Sequence, residues 1–151
     1  MAYLLLAFAI GCMIPMQAAI NSQLKAHLDT STLLASLVSF AVGTLALALV
    51  TAVSGQRWGA LAGISAAKSW QLTGGLLGAL FVFGTTLLAP RIGLAKMVAL
   101  ILAGQVLISL VMDNQGWFGL AVREVTPLRL AGAALVVVGV LMVNFDQALG
   151  R

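Results

Sequence analysis

Charged side chains are scarce in this sequence. Asp, Glu, Lys and Arg make up 8% of the 151 residues, whereas a soluble domain carries roughly a quarter. Hydrophobic residues make up 62%, so the chain cannot cover a surface that faces water, and lipid is the expected solvent. The eight Lys and Arg exceed the four Asp and Glu, but they stand singly between apolar runs. Without a basic patch interleaved with aromatic residues, nucleic-acid binding is not expected.

Cysteine and histidine are almost absent. The only cysteine is Cys12, and the only histidine is His27 in the first loop. One cysteine excludes an intramolecular disulfide and a metal site of the cysteine type. No apolar run holds a cluster of His, Asp and Glu, or a serine with a base at reach in sequence. We therefore expect no metal, no cofactor and no enzymatic activity.

Long apolar runs dominate what is present. A helix that spans a bilayer needs about 20 mostly apolar residues. Five segments meet this requirement, approximately Tyr3–Leu24, Thr32–Ser54, Trp70–Ala89, Leu94–Met112 and Leu128–Phe145. The first run lacks a basic n-region, which favours a retained helix over a cleaved signal peptide. The sequence thus predicts a single all-α integral membrane domain with five transmembrane helices over residues 1–151.

Small residues recur at four-residue spacing on several predicted helices. Such stripes let helix backbones approach closely in lipid, where no hydrophobic force acts between helices. The predicted helix-packing residues are Ser39, Gly43, Gly74, Gly75 and Gly78. They indicate a helix bundle without indicating a function.

Basic residues are balanced across the predicted membrane. Five helices put the termini on opposite sides, and each side receives four Lys or Arg. The side of Met1 receives Arg57, Lys68, Arg123 and Arg129, and the other side receives Lys25, Arg91, Lys96 and Arg151. The positive-inside rule therefore favours neither orientation. Either the loop boundaries are misplaced, or the chain inserts in both orientations and two copies form an inverted pair.

Neutral amides interrupt the first apolar run. Gln17 and Asn21 lie four residues apart in IPMQAAINSQ and share a helix face. Pro15 precedes them and leaves the carbonyl of Gly11 without its usual partner, which allows local helix deformation. A freed carbonyl in the membrane must face protein or a water-filled cavity. We interpret the amides as the lining of a substrate cavity; the alternative is hydrogen bonding between helices, worth about 0.6 to 2 kcal/mol.

The fourth helix carries a second polar stripe. Gln105, Ser109 and Asp113 follow one another at four-residue spacing. We predict that Gln105 and Ser109 contact substrate together with the amides of the first helix. Asp113 is a candidate for coupling or for pairing between subunits, with Lys96 or Arg91 of a second copy as the basic partner. The alternative for Asp113 is a structural role, either as a helix cap at the membrane interface or as an ion-pair partner.

The order of these features resembles a known family. The Gln–Asn pair of the first helix is followed by SFxxG, then GGxxGA, then GQxxxSxxxDxxG. Each motif is weak alone, but their order and spacing over about residues 3–145 resemble the half-size, YdcZ-like branch of the drug/metabolite transporter superfamily. The resemblance implies a multi-pass bacterial inner-membrane protein that forms half of a ten-helix inverted-repeat fold. It also implies dimers of inverted halves or paired homologous genes, and transporters without an established substrate.

The first helix of this chain differs from that of some relatives in the superfamily. Smaller four-helix multidrug relatives use a glutamate in the first helix as the proton and cation site, and this chain has Gln17 and Asn21 in the comparable region. An amide does not titrate, so proton-coupled cation export is not expected, and the amides are interpreted as recognising a neutral or hydrogen-bonding group.

Taken together, the sequence predicts a small-molecule transporter that works by alternating access as an antiparallel, dual-topology homodimer. Two alternatives remain: a flippase for lipids or other amphiphiles, and a subunit of a heteromeric membrane complex without transport activity of its own. The expected partners are a small-molecule substrate, the lipid bilayer and a second copy or a homologous, oppositely oriented chain.

Overall fold

The computed structural model describes the backbone of residues 2–149 and the side chains of residues 2–144. Arg151, which enters the charge count above, lies outside this part of the chain. The described residues form five α-helices: α1 (Ala2–Ala26), α2 (Thr32–Val53), α3 (Thr73–Ile92), α4 (Leu94–Gln115) and α5 (Pro127–Leu149). Three short 3₁₀ helices cover Trp58–Ala66, Ser69–Leu72 and Trp117–Gly119. No strand occurs in the described range.

All five helices are long and apolar enough to cross a membrane. Most of their large apolar side chains are exposed on the surface of the chain. In water, leaving so many apolar side chains exposed would be unfavourable, because folding in water is driven by the burial of apolar surface. In lipid, the same side chains contact apolar acyl chains. The all-α integral membrane fold predicted from the sequence is therefore confirmed.

The helix ends follow from local capping chemistry. The Ser31 side chain accepts a hydrogen bond from the backbone N–H of Leu34 at 3.2 Å, so Ser31 caps α2. At α5, Thr126 accepts from the backbone N–H of Arg129 at 3.3 Å, and Pro127 occupies the first helical position. Proline fits there because the first helical N–H has no partner within the helix in any case.

Several helices end later than the sequence predicts, α3 and α4 among them. α4 continues past Met112 to Gln115 and ends where Gly116 adopts a left-handed conformation. α3 continues past Ala89 through Pro90 to Ile92. A proline near a helix end removes one hydrogen bond, here the one to the carbonyl of Thr86, without breaking the remaining turn.

The chain divides into two compact units, residues 1–91 and 92–151. In the first unit, α1 packs against α2. The Ser22 hydroxyl of α1 lies 3.4 Å from the Thr86 carbonyl of α3 and 2.8 Å from that of Ala18. Because Pro90 cannot donate to the Thr86 carbonyl, the Ser22 hydroxyl lies near a carbonyl that lacks its usual donor four residues later. Helices α1 and α3 are thus linked at the point where α3 loses its own hydrogen bond.

In the second unit, α4 packs against α5. The connecting loop folds back onto the end of α4, since the backbone N–H of Arg123 donates to the carbonyl of Asp113 at 2.9 Å. Gly116 makes this return possible with φ +61°, a conformation that strains other residues. The loop therefore brings the start of α5 beside the end of α4, where Asp113, Arg123, Glu124 and Arg129 lie.

Candidate functional site

The first unit contains a cavity of about 270 Å³ that Gln17 lines. The other lining residues come from α2 and α3: Ser39, Phe40, Gly43, Thr44, Leu47 and Val82. An amide and two hydroxyls therefore face a cavity whose remaining wall is apolar. This is the usual composition of a small-molecule site, in which a few polar groups orient a ligand within an apolar pocket.

Asn21 occupies a different environment from Gln17, although one helical turn separates them. Gln17 is exposed, whereas Asn21 is only 3% exposed and its Nδ2 has no hydrogen-bond partner in the described structure. The Oγ1 of Thr86, at 0% exposure, is equally without a partner there. Asn21 thus lies inside the helix packing, and the structure does not place it among the residues that line the cavity beside Gln17.

The helix-deformation residues lie within an unbroken α1. The helix runs through both Gly11 and Pro15, and a Cβ built on Gly11 would meet nothing within 4 Å. Gly11 is therefore not required for close packing within this chain. Its role in helix deformation stays a prediction.

The predicted packing glycines also separate into two groups. At Gly78, an added Cβ would lie 3.4 Å from the Phe40 ring, so the tip of this α2 side chain packs against α3 there. At Gly43, Gly74 and Gly75 an added Cβ would meet nothing within 4 Å. These three glycines leave open surface on the single chain, and Ser39 and Gly43 line the Gln17 cavity.

The second unit contains a cavity of about 240 Å³. It is lined by two of the predicted site residues and by one residue that the sequence did not indicate as a site residue. Gln105 and Ser109 of α4 line it together with Arg129 of α5, and Val106 and Leu110 complete the lining. The four-residue spacing of Gln105 and Ser109 places them on one face of α4. Two of the three residues of the predicted α4 stripe therefore line one cavity, and the basic residue beside them belongs to the same chain.

Asp113 forms an ion pair with Arg129. Nη2 of Arg129 donates to Oδ2 of Asp113 at 2.5 Å, and the two side chains are 35% and 27% exposed, respectively. Nη1 of Arg129 lies 3.4 Å from the carbonyl of Arg123 and 3.3 Å from that of Glu124. The loop and Asp113 together hold the guanidinium at the edge of the cavity.

Sequence reasoning missed Arg129 as a site residue, because it counted this arginine only as a topology signal. A cation in the first turn of a helix opposes the helix dipole and so requires a compensating anion. That feature could have pointed to Asp113 as its partner. Lys96 is half-buried and Arg91 is exposed, and neither forms an ion pair with Asp113 within the described chain. Their predicted role toward a second copy stays a prediction.

A second cavity of about 290 Å³ adjoins the Gln105 cavity, and Leu110 lines both. Asn114 and Gln115 line it, with five apolar residues: Leu107, Leu110, Val111, Val125 and Leu130. It contains no charged side chain. Gln115 is thus an amide on α4 that faces a cavity separate from that of Gln105.

Comparison with known proteins identifies one family. The family model described as "Putative inner membrane exporter, YdcZ" matches residues 2–142. No curated protein and no solved structure matches the chain. The family match covers nearly all of the sequence and includes every site residue described above.

Proposed function

The chain belongs to the YdcZ family of inner membrane exporters, and from that premise we propose that two antiparallel copies form one small-molecule transporter. Each copy would supply five helices of a ten-helix inverted-repeat assembly. The substrate would bind near the membrane midplane and gain access to each side in turn. This is the arrangement of many transporters built from inverted repeats.

The balanced distribution of basic residues supports insertion in both orientations. Four Lys or Arg fall on each side of the predicted membrane, so neither orientation is favoured by loop charge. Five spans also place the termini on opposite sides of the membrane. A chain with these two properties can pair with an inverted copy of itself.

The observation that carries the proposal is the presence of polar cavities between apolar helices. Gln17 faces one cavity, and Gln105, Ser109 and Arg129 line another. Polar groups within a membrane span are costly and tend to mark pathways for substrates or ions. The alternative of simple interhelical bonding is less well supported, because no interhelical hydrogen bond from Gln17 or Gln105 occurs in the described chain.

We expect the carboxyl terminus to be found on both sides of the membrane. Alkaline phosphatase and green fluorescent protein would each be fused separately after Arg151 and assayed in cells. Alkaline phosphatase is active outside and the fluorescent protein is fluorescent inside, so substantial signals from both would demonstrate dual topology. A signal from only one reporter would exclude the inverted homodimer and direct the search to an oppositely oriented partner chain.

We expect Gln105→Leu to reduce export about tenfold or more, because a buried polar contact to substrate is worth roughly 1.4 kcal/mol or more. Small molecules in the medium of cells that express each variant would be compared by mass spectrometry. Gln115→Leu is the matched control, since it makes the same replacement on the same helix at a different cavity. Both variants must be present in the membrane in equal amount.

Two results would contradict this expectation. If Gln105→Leu and Gln17→Leu both export as well as the parent chain, the amides serve helix packing and the non-transporting subunit gains support. If only the inward and outward movement of a fluorescent phosphatidylcholine depends on the chain, the protein is a lipid flippase.

A further inference from the structure

We propose that the cavity lined by Gln105, Ser109 and Arg129 is an oxyanion site, and that the transported substrate is a small organic acid bound through its carboxylate. The assignment of this ligand as cargo rests on the proposed function. The binding site itself does not, and it can be tested on the purified protein in the absence of transport.

The first argument is the donor inventory of Arg129. A guanidinium carries five N–H donors and no acceptor. Nη1 points at two loop carbonyls and Nη2 donates to Asp113. These three contacts leave the Nε–H and one Nη2–H without a partner in the described part of the chain. A carboxylate accepts two parallel N–H bonds from an arginine, which makes it the ligand best matched to such a donor pair.

The second argument is the charge of the cavity wall. Arg129 is the only charged residue among the five that line the cavity, and Asp113 is not one of them. Asp113 contacts Arg129 and offsets part of its charge, but it does not line the cavity. The Gln105 amide and the Ser109 hydroxyl add further donors on the α4 side. A wall with one cation, two neutral donors and no carboxylate favours an anion over a cation.

The third argument is the apolar remainder of the wall. Val106 and Leu110 line the same cavity of about 240 Å³. They suit a short apolar body attached to the anionic group, since apolar contacts supply affinity while polar contacts fix orientation. An organic acid with a compact apolar body meets both requirements, whereas a sugar would leave its hydroxyls facing Val106 and Leu110 without partners.

An oxyanion at this position can come from two sources, a soluble carboxylate or the phosphate of a membrane lipid. We commit to the soluble carboxylate because the polar lining continues from Arg129 of α5 to Ser109 and Gln105 of α4, and Gln105 lies two helical turns from Asp113. A lipid phosphate held at the headgroup level would need Arg129 alone. The dependence of binding on Gln105 therefore distinguishes the two sources.

The test measures equilibrium binding to the purified full chain in phosphatidylcholine nanodiscs. Benzoate and benzamide serve as probes because they have nearly the same shape and differ in charge. We expect saturable benzoate binding and at least about tenfold weaker binding of benzamide. Arg129→Lys should weaken benzoate binding about tenfold, because an ammonium cannot make the paired planar contact. Gln105→Leu, which preserves the ion pair, should weaken it several-fold, and Gln115→Leu should leave it unchanged.

Three results would overturn the proposal. Equal binding of benzoate and benzamide would show that the site does not recognise an oxyanion. Benzoate binding that survives both Arg129→Lys and Gln105→Leu would place the ligand elsewhere. Stabilisation by phosphatidylglycerol that requires Arg129 but not Gln105, without benzoate binding, would assign Arg129 to a lipid headgroup. Benzoate binding without any export in cells would retain the site and refute the proposed transport function.

Discussion

Arg129→Met is expected to destabilise the chain by about 2 kcal/mol. The substitution leaves the Asp113 carboxylate without its cationic partner beside an apolar helix. Breaking a fully buried ion pair costs about 3 to 5 kcal/mol. The cost should be lower here, because Arg129 and Asp113 keep 35% and 27% of their side-chain surface exposed and solvent screens the remaining charge. The measurement is unfolding in detergent micelles, followed by tryptophan fluorescence.

The double variant Asp113→Leu/Arg129→Met provides the control for this prediction. It removes both charges, so no unpaired carboxylate remains, and we expect it to be more stable than Arg129→Met alone. Equal destabilisation by the single and double variants would show that Arg129 acts through its bonds to the loop carbonyls of Arg123 and Glu124. If the losses of Arg129→Met and of Asp113→Leu, each measured alone, add up to the loss of the double variant, the ion pair carries no coupling energy.

Gly116→Ala is expected to cost about 2 to 3 kcal/mol. The left-handed conformation at φ +61° costs a residue with a Cβ about 1 to 2 kcal/mol. The added Cβ would also lie 2.8 Å from Cγ2 of Val122 and 3.2 Å from the carbonyl oxygen of Leu120. The loop that holds Arg123 and Glu124 near Arg129 must then move. The same unfolding measurement tests this prediction.

Gly104→Ala is the matched control for Gly116→Ala. It lies within α4, and an added Cβ would meet nothing within 4 Å, so the change should be neutral or stabilising by up to about 1 kcal/mol. Gly116→Ala/Val122→Ala should recover the part of the loss caused by the side-chain clash, but not the backbone strain. A harmless Gly116→Ala would mean that the loop does not require a left-handed residue at this position.

Local pattern was sufficient to predict the number, type and approximate position of the membrane helices. Hydropathy depends on runs of neighbouring residues. The composition of each run therefore decides whether it is more stable in lipid or in water. The spacing of Gln105 and Ser109 likewise predicted a shared helix face, and both line one cavity. The predicted helix ends were less accurate because the structure carries α3 through Pro90, and the end of α4 depends on Gly116.

Tertiary packing decided the partners of the polar residues. Gln17 and Asn21 share a helix face in sequence, yet Gln17 lines a cavity and Asn21 is buried without a partner for its Nδ2 among the described residues. Which amide meets open space depends on the side chains that α2 and α3 bring to α1. Sequence spacing within α1 contains no information about those neighbours.

By itself, the sequence determined that this protein spans a membrane with five helices, and it predicted balanced basic residues on the two sides. Those properties follow from the composition of local segments, without any information about how the segments pack. Only the tertiary structure brought Arg129 to Asp113 and Gln105, because a turn at Gly116 returns α5 to the end of α4. Sixteen residues separate the two charges, and their contact depends on helix packing and loop conformation rather than on any periodic pattern.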